Sequence, residues 1–204
     1  FARFGVVRLA MLLLAIAPLV AACSTNPATG RPTFTAFMSE ADELRVGREQ
    51  HPQIVAEFGG VYDDPELTRY IDSIGQLLAR TSERPDLKFT FTVLNSPVVN
   101  AFALPGGYVY VTRGLLALAN NEAEIAGVIG HEIGHVTARH SAQRYSQAML
   151  ANIGLMGVAI ATGSGALANI AGAGAQVYLQ SYSRDQEFEA DLLGVRYLSR
   201  ATYD

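Results

Sequence analysis

Only one cysteine, Cys23, occurs among the 204 residues of this chain. A lone thiol forms no internal disulfide, which excludes a disulfide-stapled scaffold. Basic residues are also in short supply. Fifteen Lys and Arg face nineteen Asp and Glu, a formal charge of -4, so the chain has no nucleic-acid footprint and no nucleic-acid partner is expected. No charged side chain occurs between Tyr145 and Ser183. An initiating Met is missing as well. The chain starts at Phe1 and stops at Asp204 inside a periodic segment, so both ends read as cut. Half of the residues are hydrophobic, enough for one domain with a core.

The first 22 residues differ in composition from the rest. Arg3 and Arg8 precede an apolar run over 9–20, and the small residues Ala21 and Ala22 follow. Basic, apolar, then small is the order of a secretory signal. The uncharged run is shorter than the roughly 20 residues a membrane span needs. Leu19-Val20-Ala21-Ala22-Cys23 resembles a bacterial lipobox, in which the cysteine is lipidated and becomes the mature N-terminus. Removing the signal leaves 13 basic and 19 acidic residues. Acyl chains on Cys23, rather than basic residues, would then hold the protein on a membrane. In a Gram-negative lipoprotein, Ser24 in place of Asp implies sorting to the outer membrane. Residues 24–37 are rich in Thr, Pro and Ala and read as a tether.

His131-Glu132-Ile133-Gly134-His135 is the stretch that carries chemistry. Residues four apart lie nearly above one another on a helix, so His131 and His135 face the same way and two neutral imidazoles can grip one zinc ion. Glu132 lies roughly 100° round the helix, close enough to act on the attacking water without binding the metal. H-E-x-x-H on a helix is a metalloprotease signature. Asn121 is placed to cap this helix, with Glu124 at capping-box spacing. Val128, His131, His135, Arg139 and Ala142 share one side of the wheel. Ile125, Ile129, Ile133, Val136 and His140 share the core side. His140 then lies roughly 180° from His131 and reads as structural. Gly130 and Gly134 leave room for another element to come close. His51, before Pro52, reads as a surface histidine.

Upstream, Ser39 is placed to cap a helix running to about Gln50, which Pro52 interrupts or restarts. Asp64-Pro65-Glu66 starts a second helix with an apolar stripe from Leu67 to Leu78. Residues 88–94 alternate as a strand. Residues 98–104 and 108–112 flank Pro105-Gly106-Gly107 as a hairpin. A small antiparallel sheet therefore precedes the motif helix. Its exposed edge is expected to pair with an extended substrate, with Asn100, Ala101, Phe102 and Ala103 in the cleft wall. Which strand is the edge is not readable.

Two histidines leave a zinc site short of its third protein ligand. In the longer motif H-E-x-x-H-x-x-G-x-x-H the ligand is a further histidine, but here Ala138 and Ser141 replace the Gly and last His. No cysteine follows Cys23, which leaves a downstream carboxylate. On the helix from Ser183 to about Arg200, Glu187, Asp191, Gly194, Val195 and Leu198 share one face. Glu189, Arg196 and Arg200 take the opposite one, where Glu189 would be solvated. A carboxylate beside Val195 and Leu198 is costly unless paired or metal-bound, which selects Glu187 over Glu189. Asp191, one turn on, is placed to hydrogen-bond a ligand histidine.

Asn100 to Leu115, then His131 to His135, then Glu187-x-x-Ala190-Asp191 resembles the HtpX/BepA-type zinc metallopeptidases, a family that includes CAAX prenyl proteases and mitochondrial Oma-type proteases. The resemblance covers roughly 39–204, and the lipobox points to its bacterial envelope lipoprotein branch. It implies an α+β, mainly helical gluzincin fold with a small antiparallel sheet next to the H-E-x-x-H helix. It also implies one Zn2+ per chain and endopeptidase action on misfolded or misassembled envelope and membrane proteins. Its ligands fall on His131, His135 and Glu187, and its catalytic glutamate on Glu132. The expected organisation is a signal peptide over 1–22, a lipidated N-terminus and tether over 23–38, and a C-terminally truncated zinc metallopeptidase domain over 39–204.

The uncharged stretch 145–183 lies between the ligands His135 and Glu187, which must reach one metal. A single membrane crossing would separate them, and two need roughly 40 residues plus a turn. A helical hairpin that gates the cleft as a lid or membrane-facing patch is the expectation. Tyr182, Arg184 and Tyr197 are candidates for the group that stabilises the transition state. Family members often take a histidine from beyond the point corresponding to Asp204. The rival reading is an envelope chaperone or assembly factor with a structural or self-inhibited zinc site.

Overall fold

The computed structural model describes residues 23–162 and 181–203. The signal segment and the middle of the uncharged stretch lie outside them. In order, the elements are strands β1 (Cys23–Thr25) and β2 (Pro32–Phe34), helices α1 (Glu40–Glu57) and α2 (Pro65–Thr81), then strands β3 (Thr90–Leu94), β4 (Ala101–Leu104) and β5 (Tyr108–Thr112). They are followed by the single turn α3 (Arg113–Leu116) and helices α4 (Glu122–Thr137), α5 (His140–Thr162) and α6 (Arg184–Arg200). Among the described residues, no helix is long and apolar enough to cross a membrane.

The helix starts follow from local chemistry. Ser39 and Asp42 cap α1 reciprocally, and Asp64 accepts from the backbone N–H groups of Glu66 and Leu67. Asn121 accepts from the Glu124 N–H at 3.0 Å, while the Glu124 carboxylate reaches back to Asn120 instead. Pro52 does not stop α1, which continues to Glu57. A proline removes one intrahelical bond, and Ile54, on the buried face beyond it, keeps the helix docked.

The sheet has the order β3-β5-β4. The hairpin β4–β5 is antiparallel as expected, but β3 runs parallel to β5, so the sheet is mixed. After β3 the chain crosses to the far edge as β4, and the turn at Gly106 and Gly107 returns it to the centre. Both glycines hold positive φ, and a Cβ on Gly106 would stand 2.7 Å from the Glu43 carbonyl oxygen. One sheet face packs Phe91, Val93, Val109 and Val111 against Ile71, Ile74 and Leu78 of α2 and Ile129 and Ile133 of α4. The other packs Leu94, Leu104 and Tyr110 against Met38 and Ile54. His51 is part of that second layer, with Nδ1 2.8 Å from the Tyr110 hydroxyl, and is not a free surface histidine.

Two findings depart from the sequence expectation. The motif helix stops at Thr137, Arg139 takes a left-handed backbone (φ 59°), and α5 starts at His140. No glycine or proline announces this break. It is held by the buried Arg139 guanidinium, which donates to Glu43 Oε2 and the Met38 carbonyl, both at 2.9 Å. The second departure is at the N-terminal end. Residues 23–35 are not a loose tether. They form the β1–β2 hairpin, in which the Asn26 side chain accepts from the N–H groups of Ala28 and Thr29 and is itself buried.

Candidate metal centre

α4 and α6 cross in close contact because small residues face each other. A Cβ on Gly134 would stand 2.9 Å from the Ala190 carbonyl oxygen, and one on Gly194 would stand 3.0 Å from the His131 backbone nitrogen. α6 turns Ala190, Leu193, Gly194 and Tyr197 into this contact. Glu187 and Asp191 flank the contact on one edge and Glu189 on the other. Val195 is 65% exposed, so it is not the neighbour that makes Glu187 costly to leave unpaired. The seam with α4 places Glu187 at the histidines.

There the donor atoms converge. His131 Nε2 and His135 Nε2 are 3.0 Å apart. Glu187 Oε2 lies 3.2 Å from the first and 3.8 Å from the second. Tetrahedral zinc with bonds of about 2.0–2.1 Å separates its ligands by about 3.3 Å, so these three atoms fit one ion. They also form a His/His/Glu group able to hold a metal. The deeply buried His135 imidazole is a neutral donor. Burial, then the neighbouring His140, His131 and Arg144, push His135 down to about 2. Asp191 Oδ1 lies 2.8 Å from His131 Nδ1, which leaves Nε2 facing the other donors.

Glu132 points into the same cleft and is 7% exposed. Burial, with the nearby Glu187 charge, pushes its carboxyl up to about 8. A divalent cation among the three donors opposes that shift. The cleft measures about 410 Å³ and is lined by Asn100, Ala101, Phe102 and Ala103 on one side and by His131, Glu132, His135, Tyr182 and Glu187 on the other. β4 is an edge strand of its sheet, so Ala101, Phe102 and Ala103 sit along an open edge, with Asn100 just before it. Asn100 accepts from the Thr112 N–H. By the alternation of an antiparallel ladder, Ala101 and Ala103 turn their N–H and C=O groups outward. A larger cavity of about 750 Å³ lies behind α6, beside Thr29, Arg31 and Glu189, and contains none of the three donors.

Four residues near the cleft have partners that the sequence did not foretell. The Tyr182 ring stacks on His135 with centroids 3.8 Å apart, its hydroxyl lies 3.0 Å from Ser141 Oγ, and the Arg144 guanidinium carbon sits over the ring, 3.9 Å from its centroid. The Tyr197 hydroxyl is instead turned to Thr137 and Glu83. Glu189 is not solvated. Its side chain is 20% exposed and Oε2 lies 3.0 Å from His140 Nε2. His140 is fully buried, with Nδ1 2.8 Å from His135 Nδ1. Sequence reasoning missed this contact because it assumed an unbroken helix through residue 142.

Two imidazoles and a carboxylate converging beside a buried glutamate are the donor set and base of a metal-dependent peptidase. The model of peptidase family M48 matches residues 65–204, and the chain belongs to this family. It is 34% identical over 178 residues to the beta-barrel assembly-enhancing protease of Yersinia pestis, covering 83% of this chain and 36% of that protein. It is 31% identical over 205 residues to the protein of the same name from Escherichia coli K12, covering 96% and 42%. The mitochondrial metalloendopeptidase OMA1 of Schizosaccharomyces pombe is 30% identical over 167 residues, covering 79% and 48%. The chain thus spans less than half the length of these relatives.

Proposed function

We propose that this chain is the peptidase portion of a zinc endopeptidase of the bacterial envelope that cleaves unfolded or misassembled proteins. The observation that carries the reading is the convergence of His131, His135 and Glu187 beside buried Glu132, at the open edge of β4. His131, His135 and Glu187 would hold one zinc ion per chain, with Asp191 fixing the His131 ring. Bound there, zinc supplies the Lewis acidity that polarises a carbonyl and acidifies water. Glu132 takes the proton of the attacking water and returns it to the leaving amine. An extended substrate lies along β4 and bonds to the outward N–H and C=O groups of Ala101 and Ala103. A strand-adding site accepts a chain that is already extended, which favours unfolded substrates over folded ones. Lipidated Cys23 anchors the protein to a membrane, on the periplasmic face of the outer membrane, as the lipobox and Ser24 imply. The names of the bacterial relatives, beta-barrel assembly-enhancing proteases, support an envelope setting.

The test is zinc-dependent proteolysis of an unfolded chain such as casein, beside a stably folded globular protein. Cleavage of casein that a chelator stops and zinc restores is expected, with the folded protein spared. Equal cleavage of both, or cleavage insensitive to chelation, contradicts the reading.

A further inference from the structure

His131 and His135 are held from behind in different ways. The first meets a carboxylate directly, because its Nδ1 faces Asp191, whose side chain is 67% exposed. The second meets another imidazole, and behind that a carboxylate, in a buried line. A ligand role for His135 requires a lone pair on Nε2, so the ring proton lies on Nδ1. That N–H has His140 Nδ1 as its partner at 2.8 Å. If His140 accepts at Nδ1, its own proton lies on Nε2, 3.0 Å from Glu189 Oε2. An ionised carboxylate only accepts, so the direction of the whole line is set from its far end. The other Glu189 oxygen accepts from Asn26 Nδ2 at 3.3 Å. Every contact then has one donor and one acceptor. The reverse arrangement would place a proton on His135 Nε2, between the converging donor atoms.

We propose that His140 and Glu189, steadied by Asn26, form a positioning relay that holds His135 in the tautomer and orientation a zinc ligand needs. The relay ties the metal centre to the β1–β2 hairpin. It exists because of the left-handed turn at Arg139, which brings His140 back beside the residue five positions earlier. This rests on the ligand role given to His135 above. Partners that orient a ligand histidine typically account for about 10- to 100-fold in metal affinity.

The experiment measures zinc affinity by competition with a chromophoric chelator, in the whole chain and its variants, with melting of the zinc-free proteins alongside. His140→Phe keeps the ring and loses both bonds, so affinity falls about 10- to 100-fold. His140→Asn restores an acceptor oxygen near the Nδ1 position and recovers much of the loss, which a merely packing role would not produce. Glu189→Ala, at the more accessible end of the line, is the second variant should His140→Phe fail to fold, and it weakens zinc binding about tenfold. Nitrogen NMR of the zinc-free parent shows the His135 proton on Nδ1, and Glu189→Ala mixes the tautomers. Asn26→Ala weakens binding severalfold; an unchanged value detaches the hairpin from the relay. Folded His140→Phe or Glu189→Ala protein that binds zinc as tightly as the parent overturns the relay alone. A parent chain that binds no zinc overturns the metal centre itself, and the relay with it.

Discussion

Glu187 and Glu189 stand two residues apart on α6 and meet opposite surroundings. One faces the histidine pair, and the other faces His140 and Asn26. The i, i+4 spacing of His131 and His135 and the place of Glu132 between them were legible from helical periodicity alone. That Glu187 rather than Glu189 comes to the histidine pair was legible too, although the apolar face used to argue for it is partly exposed. The partnership of Glu189 with His140 was not, because it depends on one left-handed residue whose cause is an ion pair with Glu43 some hundred positions away in sequence. A third glutamate, Glu83, shows what such contacts do for stability. Burial raises its pKa, but hydrogen bonds from Tyr197, Arg196 and Arg200 outweigh this and hold it below the usual 4.5. A carboxyl whose folded pKa is depressed contributes stability above its unfolded pKa, and loses it as pH falls towards the folded one. Glu83→Gln is therefore expected to cost roughly 2 kcal/mol at neutral pH. Urea unfolding should show the gap between parent and variant closing as pH drops below about 4.5.

At the scale of elements, caps were easier to foresee than order. Ser39, Asp64 and Asn121 start helices because a short polar side chain satisfies N–H groups locally, and that chemistry is written in adjacent residues. The parallel pairing of β3 with β5 is not. Period-two alternation says which residues face the core, and here it sorts Phe91 and Val93 from Leu94 correctly, but it says nothing about which strands are neighbours. The observed order leaves β4 as the edge beside the histidines. Ala101→Pro removes one outward N–H without touching the ladder to β5. Loss of one backbone bond to substrate predicts a roughly tenfold fall in kcat/KM, with zinc affinity unchanged. Steady-state kinetics on a peptide substrate reads this, and an unaltered kcat/KM would remove β4 from substrate binding.

At the scale of the whole molecule, the two helices that carry the converging donors, α4 and α6, are separated in sequence by the uncharged stretch and joined in space by a seam of glycine and alanine. Gly130 and Gly134 marked that seam in the sequence through their spacing. The hairpin at the N-terminal end was hidden, because Thr, Pro and Ala suit a linker and a packed turn equally well. What decides between them is the buried Asn26 side chain and its bonds to Ala28, Thr29 and Glu189. The expected lid falls partly on α5 and partly on 163–180, outside the described residues.

In the proposed function His131, His135 and Glu187 hold zinc while Glu132 moves the proton. The most direct measurement is a Glu132→Gln variant assayed for zinc content and for cleavage of unfolded casein. Zinc bound at the parental level, with cleavage reduced at least about a hundredfold, is the predicted result. A zinc-loaded variant that cleaves at close to the parental rate would contradict the account.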